Sequence, residues 1–149
     1  MPFRAIYVSS HILPVRDDGT CEEFDRIAEQ AHRCNAQTGV SFFLVCTHHW
    51  FCQVLEGSEP AVRRTLARIA ADKRHFDCRV IEATAQVQHA KLDGYATVHK
   101  SIANRLLFLE RGFSRAIVPY DRTAAEMLDL CNALRSFGVP SEQRQSELC

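Results

Sequence analysis

Apolar and polar positions along this chain repeat with two periods, and the switches between them mark its elements. Residues 3–9 are rich in β-branched and aromatic side chains and predict a first strand. A loop over 11–19 holds Pro14 and the turn-forming Asp17-Asp18-Gly19. Thr20 with Glu23 has the form of a capping box, and Phe24, Ile27, Ala28 and Ala31 recur at helical spacing, predicting a helix to about residue 33. The apolar run 40–46 and the segment 50–55 predict a hairpin about Thr47-His48-His49. Gly57-Ser58-Glu59-Pro60 opens a second helix to about residue 72, with Val62, Leu66, Ile69 and Ala70 on one face.

Strands over 79–87 and 95–98 complete the order β-α-β-β-α-β-β. That order predicts an α+β, ferredoxin-like sheet with two helices on one face and one added strand. Beyond residue 100 the period turns helical. Residues 101–111 end at Gly112, and Thr123 with Glu126 forms a second capping box ahead of a Met127, Leu130, Cys131, Leu134 stripe. The organisation expected is a domain over 3–100, a two-helix cap over 101–138 and a polar, flexible tail over 139–149.

Composition narrows the class. The chain has 149 residues, 46% hydrophobic and 24% charged, as in one soluble globular domain. Eighteen basic and eighteen acidic side chains cancel, so no bulk field favours direct nucleic-acid or membrane contact. There is no apolar run of membrane-spanning length and no signal-peptide pattern at the start, so a cytoplasmic protein is expected. The seven cysteines are odd in number and include no Cys-x-x-Cys pair, which argues for reduced thiols.

Three polar residues fall where this plan faces the core. Tyr7 lies on the face opposite Ile6 and Val8, Gln53 shares a strand face with Phe51 and Leu55, and Asn35 follows the first helix, four residues before Gly39. Each alone has an ordinary reading: a core tyrosine with a satisfied hydroxyl, an edge glutamine, a C-cap asparagine. Their setting is more specific. Ile6-Tyr7-Val8-Ser9, Asn35-Ala36-Gln37-Thr38-Gly39-Val40-Ser41, Phe51-Cys52-Gln53-Val54-Leu55-Glu56-Gly57 and Arg68-Ile69-Ala70-Ala71-Asp72-Lys73-Arg74-His75 follow in order. Together they resemble the BLUF family of flavin-based blue-light sensors, from about residue 3 to 100.

The resemblance implies a non-covalently bound FAD (or FMN) between the first two helices, flanked by Ile27 and Ile69, with Phe51 beside the ring. It implies that Asn35 bonds the ring's polar edge and that Asp72, Arg74 and His75 lie at its open side, where the ordinary reading is a solvated helix end. It further implies that Tyr7 gives up an electron and a proton under blue light, while Gln53 relays the proton as its amide rotates or tautomerises. A carbonyl and an NH₂ group are near-isosteric, so that change swaps donors for acceptors with little motion. The outcome is sensing, not catalysis, signalled to a partner protein or through homo-oligomerisation, with the Leu106-Leu107-Phe108-Leu109 run and the Met127 stripe as surfaces or as cover for the sheet.

The chain departs from the family at its fifth strand, where Tyr95-Ala96-Thr97 replaces Trp-x-Met, and at Gly39-Val40-Ser41-Phe42, where a ring replaces a glycine. Cys34 replaces a residue often polar in the family. These changes bear on signal output first and flavin affinity second, and they motivate an alternative, a flavin-free interaction module. A small enzyme is the weakest reading, since no nucleophile–base pair or anion-cradling glycine loop is evident. Cys46, His48, His49 and Cys52 gather potential metal ligands, but in a spacing that fits no standard site, so no metal is assigned.

Overall fold

The computed structural model describes residues 2–137 apart from 87, 89, 91 and 115. Strand β1 (Phe3–Ser10) leads into helix α1 (Glu22–Thr38), the hairpin β2 (Ser41–Cys46) and β3 (Trp50–Gly57), and helix α2 (Glu59–Ala70). Strands β4 (Phe76–Ala85) and β5 (Gly94–Thr97), a 3₁₀ turn (Val98–Lys100) and helices α3 (Ile102–Glu110) and α4 (Ala124–Ser136) follow. The sheet order is β4-β1-β3-β2-β5, antiparallel except for β2 with β5. This is the expected ferredoxin-like plan with a fifth strand added at the β2 edge.

Alternation along the strands divides the core into two. Ala5, Phe42, Leu44, Phe51 and Leu55 pack beneath α1 and α2, against Phe24, Ala28 and Val62. Ile6, Val8, Phe43, Trp50, Cys52 and Val54 pack beneath the C-terminal helices, against Phe108, Met127, Leu130, Cys131 and Leu134. The α4 stripe is thus cover for the sheet, as is Phe108, while Leu106 and Leu109 remain exposed. Trp50 pins the cap by donating from its indole to the Ser114 carbonyl at 2.9 Å. Fully burying one such large apolar side chain stabilises by about 1.5–3 kcal/mol.

Several boundaries differ from expectation. Thr20 does not cap α1: its amide and hydroxyl both donate to Asp18 Oδ1, at 2.9 and 2.7 Å, and Cys21 becomes the N-cap. A local Asx turn has outcompeted the capping box. The helix runs past residue 33 to Thr38, and Gly39, at φ 73°, ends it in the left-handed conformation. Asn35 therefore lies within the last turn of α1 rather than beyond it. α2 stops at Ala70, two residues early, and β4 starts at Phe76 rather than 79. Val98 leaves β5 for the 3₁₀ turn, whereas the Thr123–Glu126 capping box forms as read. The tail expected over 139–149 lies outside the described residues.

Two residues of the Leu55-Glu56-Gly57 segment have clear physical causes. The buried Glu56 carboxylate accepts from the Ala90 amide at 2.9 and 3.0 Å, with Arg4 4.0 Å away, and so anchors the connection to β5. A Cβ on Gly57 would stand 3.1 Å from the Gly39 carbonyl oxygen, tighter than a side chain is normally packed. The end of α1 can approach β3 because residue 57 has none.

Candidate cofactor site between the first two helices

A cleft open to solvent lies between α1 and α2 over the sheet. It is lined by all nine residues singled out from sequence: Tyr7, Ile27, Asn35, Phe51, Gln53, Ile69, Asp72, Arg74 and His75. Its floor is the β1–β3 ladder, in which Tyr7 and Gln53 are directly opposed. The Tyr7 hydroxyl donates to Gln53 Oε1 at 2.7 Å, with both side chains buried. Burial, then the neighbouring Cys78, Cys52 and Asp72, raise the Tyr7 pKa well above its ordinary value. The phenol is held in its protonated, donating form.

The walls are apolar and the mouth is charged. Ile27 and Ile69 are half-buried, one from each helix, with Ala31 half-buried beside them and Leu44 fully buried. Phe51 stacks on His11 at 4.3 Å and on Phe24 at 5.8 Å, which fixes its ring. At the mouth, Arg74 Nε donates to both Asp72 oxygens at 3.0 and 3.1 Å, and its Nη2 reaches Gln30 Oε1 on α1 at 2.9 Å. Those hydrogen bonds hold the Asp72 carboxyl below the usual range. His75 turns inward. The Ile69 carbonyl, 2.6 Å away, only accepts, so Nε2 carries the proton and Nδ1 accepts from the Ser9 hydroxyl at 2.7 Å.

Asn35 supplies the test of whether this cleft fits a flavin. The residue is 2% exposed, and Nδ2 has no hydrogen-bond partner among the described residues. Oδ1 is engaged by Arg68 Nη2 at 3.4 Å. An unmatched buried amide costs about 1–3 kcal/mol. A ligand with a carbonyl edge against Asn35, flat apolar faces against Ile27 and Ile69, and an acceptor or donor near Gln53 matches this lining, and a flavin ring has all three. Gln30, Ala31, Leu44 and Arg68 also line the cleft but were not singled out. Gln30 follows Ile27 by three positions and Arg68 opens the last of the quoted motifs, but neither signal distinguishes them from solvated neighbours.

The altered family positions sit elsewhere. Phe42 is buried beside a second depression, lined also by His32, Gly39 and Asp93, and not in the Tyr7–Gln53 cleft. Tyr95 packs edge-on against Phe24 at 5.4 Å. The Cys46–Cys52 ligands do not converge, because Cys46 lies in the core under α1 and Cys52 in the core under α4. His48 instead donates from Nε2 to the Arg16 carbonyl at 3.0 Å.

Comparison with known proteins agrees with this architecture. The profile of the family described as "Sensors of blue-light using FAD", BLUF, matches residues 3–93. Photoactivated adenylate cyclase subunit alpha of Euglena gracilis is 28% identical over 137 residues, 84% of this chain but 13% of that protein. Its alpha-like protein FB is 30% identical over 68% of this chain and 11% of its own length. The chain thus spans about an eighth of the length of these relatives. Among solved structures, BlsA in its photo-activated state superposes with a TM-score of 0.71 at 20% identity, covering 90% of this chain and 94% of BlsA. Klebsiella pneumoniae BlrP1 gives 0.52 at 26% identity, over 64% of this chain and 24% of that one. Among the described residues no helix is long and apolar enough to cross a membrane. With its profile match across most of the chain and its fold, the chain belongs to the BLUF family of blue-light sensors.

Proposed function

We propose that this chain is a photoreceptor that binds FAD, or FMN, in the α1–α2 cleft and converts blue light into a rearranged Tyr7–Gln53 hydrogen bond read by a partner protein. The observation that carries it is the buried 2.7 Å bond from the Tyr7 hydroxyl to Gln53 Oε1, beside the unpartnered Asn35 amide, on the wall of one cleft. When bound, the flavin supplies light absorption and an electron acceptor. Tyr7 is buried and protonated, and so holds an electron and a proton available together at one oxygen. Gln53 is bonded to that oxygen, and it carries both a carbonyl and an NH₂ group. Rotation or tautomerisation of its amide exchanges a donor for an acceptor in place. Ile27 and Ile69 would keep the ring's faces dry, and Asn35 would bond its polar edge. Arg74, paired with Asp72 in the turn after α2, reaches Gln30 of α1 at the entrance.

The test is a visible spectrum of the purified protein before and after blue light. A small, reversible red shift of flavin bands is expected. Tyr7→Phe and Gln53→Leu are each expected to abolish the shift while flavin stays bound. A colourless protein that ignores added FAD would favour the flavin-free module instead, and an unaltered photocycle in either variant would remove Tyr7 or Gln53 from the switch.

A further inference from the structure

A light response needs an outlet, and neither Tyr95 nor Thr97 of β5 lines the cleft. The end of β1 does offer a route. Successive strand residues point to opposite faces, so Ser9 serves the cleft side and Ser10 the side of the C-terminal cap. The His75 ring meets Tyr7 edge-on at 6.0 Å and takes the Ser9 hydroxyl bond at 2.7 Å. One residue on, the Ser10 hydroxyl lies 3.0 Å from the Tyr120 hydroxyl, in the segment joining α3 and α4. Tyr120 donates its proton to the Asp77 carbonyl at 2.8 Å and therefore accepts from Ser10. The Arg79 guanidinium lies 4.0 Å over its ring.

The sheet is irregular at this point. The β1–β3 ladder keeps one register from Phe3 to Ser10, but the β1–β4 ladder shifts register between Val8 and Ser10. Asp77, just across that shift, has φ 52°, a left-handed conformation that costs a residue with a side chain. A bulge locally disrupts the ladder and bends the strand, so β1 and β4 are not held in one unbroken register beside Ser9 and Ser10.

We propose that Ser9 and Ser10 act as a lever through the sheet, with Tyr120 as the positioning residue that carries the state of the cleft to the α3–α4 segment. The lever rests on the photoreceptor reading above and adds an output route to it. The test uses the full chain loaded with FAD, exchanged into D₂O in the dark and under blue light. The visible spectrum is followed alongside, and peptides over 113–123 are read by mass spectrometry. Wild type is expected to show the red shift together with a roughly two- to tenfold change in exchange over 113–123, the range one neutral hydrogen bond supports. Tyr120→Phe is expected to keep the red shift and lose the light-dependent change. Ser10→Ala, at the other end of the same bond, is expected to do the same and covers the case of a variant that does not fold. A light effect on 113–123 retained in the variants, or exchange raised equally in dark and light, overturns the lever. So does a wild type that shifts spectrally with 113–123 unchanged, and that outcome leaves the photoreceptor reading standing. A wild type that takes up no FAD or shows no shift overturns both.

Discussion

Burial and two hydrogen bonds give His11 a pH signature separate from the light response. Its Nδ1 accepts from the Leu13 amide at 3.1 Å, and Nε2 donates to the Thr47 carbonyl at 2.9 Å. Burial lowers its pKa to about 4; the Thr47 bond opposes the shift, and His49, His48 and His75 add to it. As pH falls from about 6.5 the unfolded chain takes up this proton before the folded one does. The stabilisation is therefore full above about pH 6.5 and is lost as pH falls toward 4, with an upper limit of about 3 kcal/mol. Urea melts at pH 7 and pH 4.5 check this: His11→Gln is expected to lose less stability than wild type over that interval. Equal losses would place the acid sensitivity elsewhere. The sequence gives no hint of this role, because His11 sits in what reads as a loop and its partners are 2 and 36 residues away.

At the level of elements, the end of α1 decides where Asn35 points. Gly39 and Val40 both close onto the Asn35 carbonyl, and Gly39 does so with φ 73°. A Cβ there would meet nothing within 4 Å, so Gly39→Ala tests the backbone conformation alone. It is expected to cost about 1–2 kcal/mol in urea denaturation of the flavin-free protein. A neutral result would mean that the cap does not set the end of the helix. The apolar stripe of α1 runs out at Ala31, so periodicity carried the helix only to about residue 33 and did not reveal that it continues to Thr38. Boundaries at β4 and β5 slipped for a related reason: an edge strand is extended or cut by the neighbour it pairs with, and Phe76 joins β4 because it pairs with Ser10.

Across the whole molecule, ligand and fold are linked. A flavin that binds only the folded chain stabilises it by about 2.7 kcal/mol at a concentration 100 times its Kd. For a domain of this size that is a rise in Tm of roughly 5–10 °C. Asn35→Leu is expected to shrink this FAD-dependent rise while leaving the flavin-free protein melting no lower, because it removes the buried Nδ2 that lacks a partner among the described residues at the cost of one long Arg68 bond. A rise equal to that of wild type would mean that Asn35 does not contact the ligand. The sequence by itself determined the element order, the two-sided core, the α4 capping box and the shared strand face of Phe51, Gln53 and Leu55. It also carried the ordered motifs of the family. These are properties of local period and short segments, which the chain writes within a few residues. Only the tertiary structure decided that Tyr7 stands directly opposite Gln53, that Asn35 Nδ2 is left without a partner, that Arg74 spans to Gln30, and that Tyr120 reaches Asp77. Such pairings depend on strand register and on which helices meet, and these are settled by packing between segments tens of residues apart.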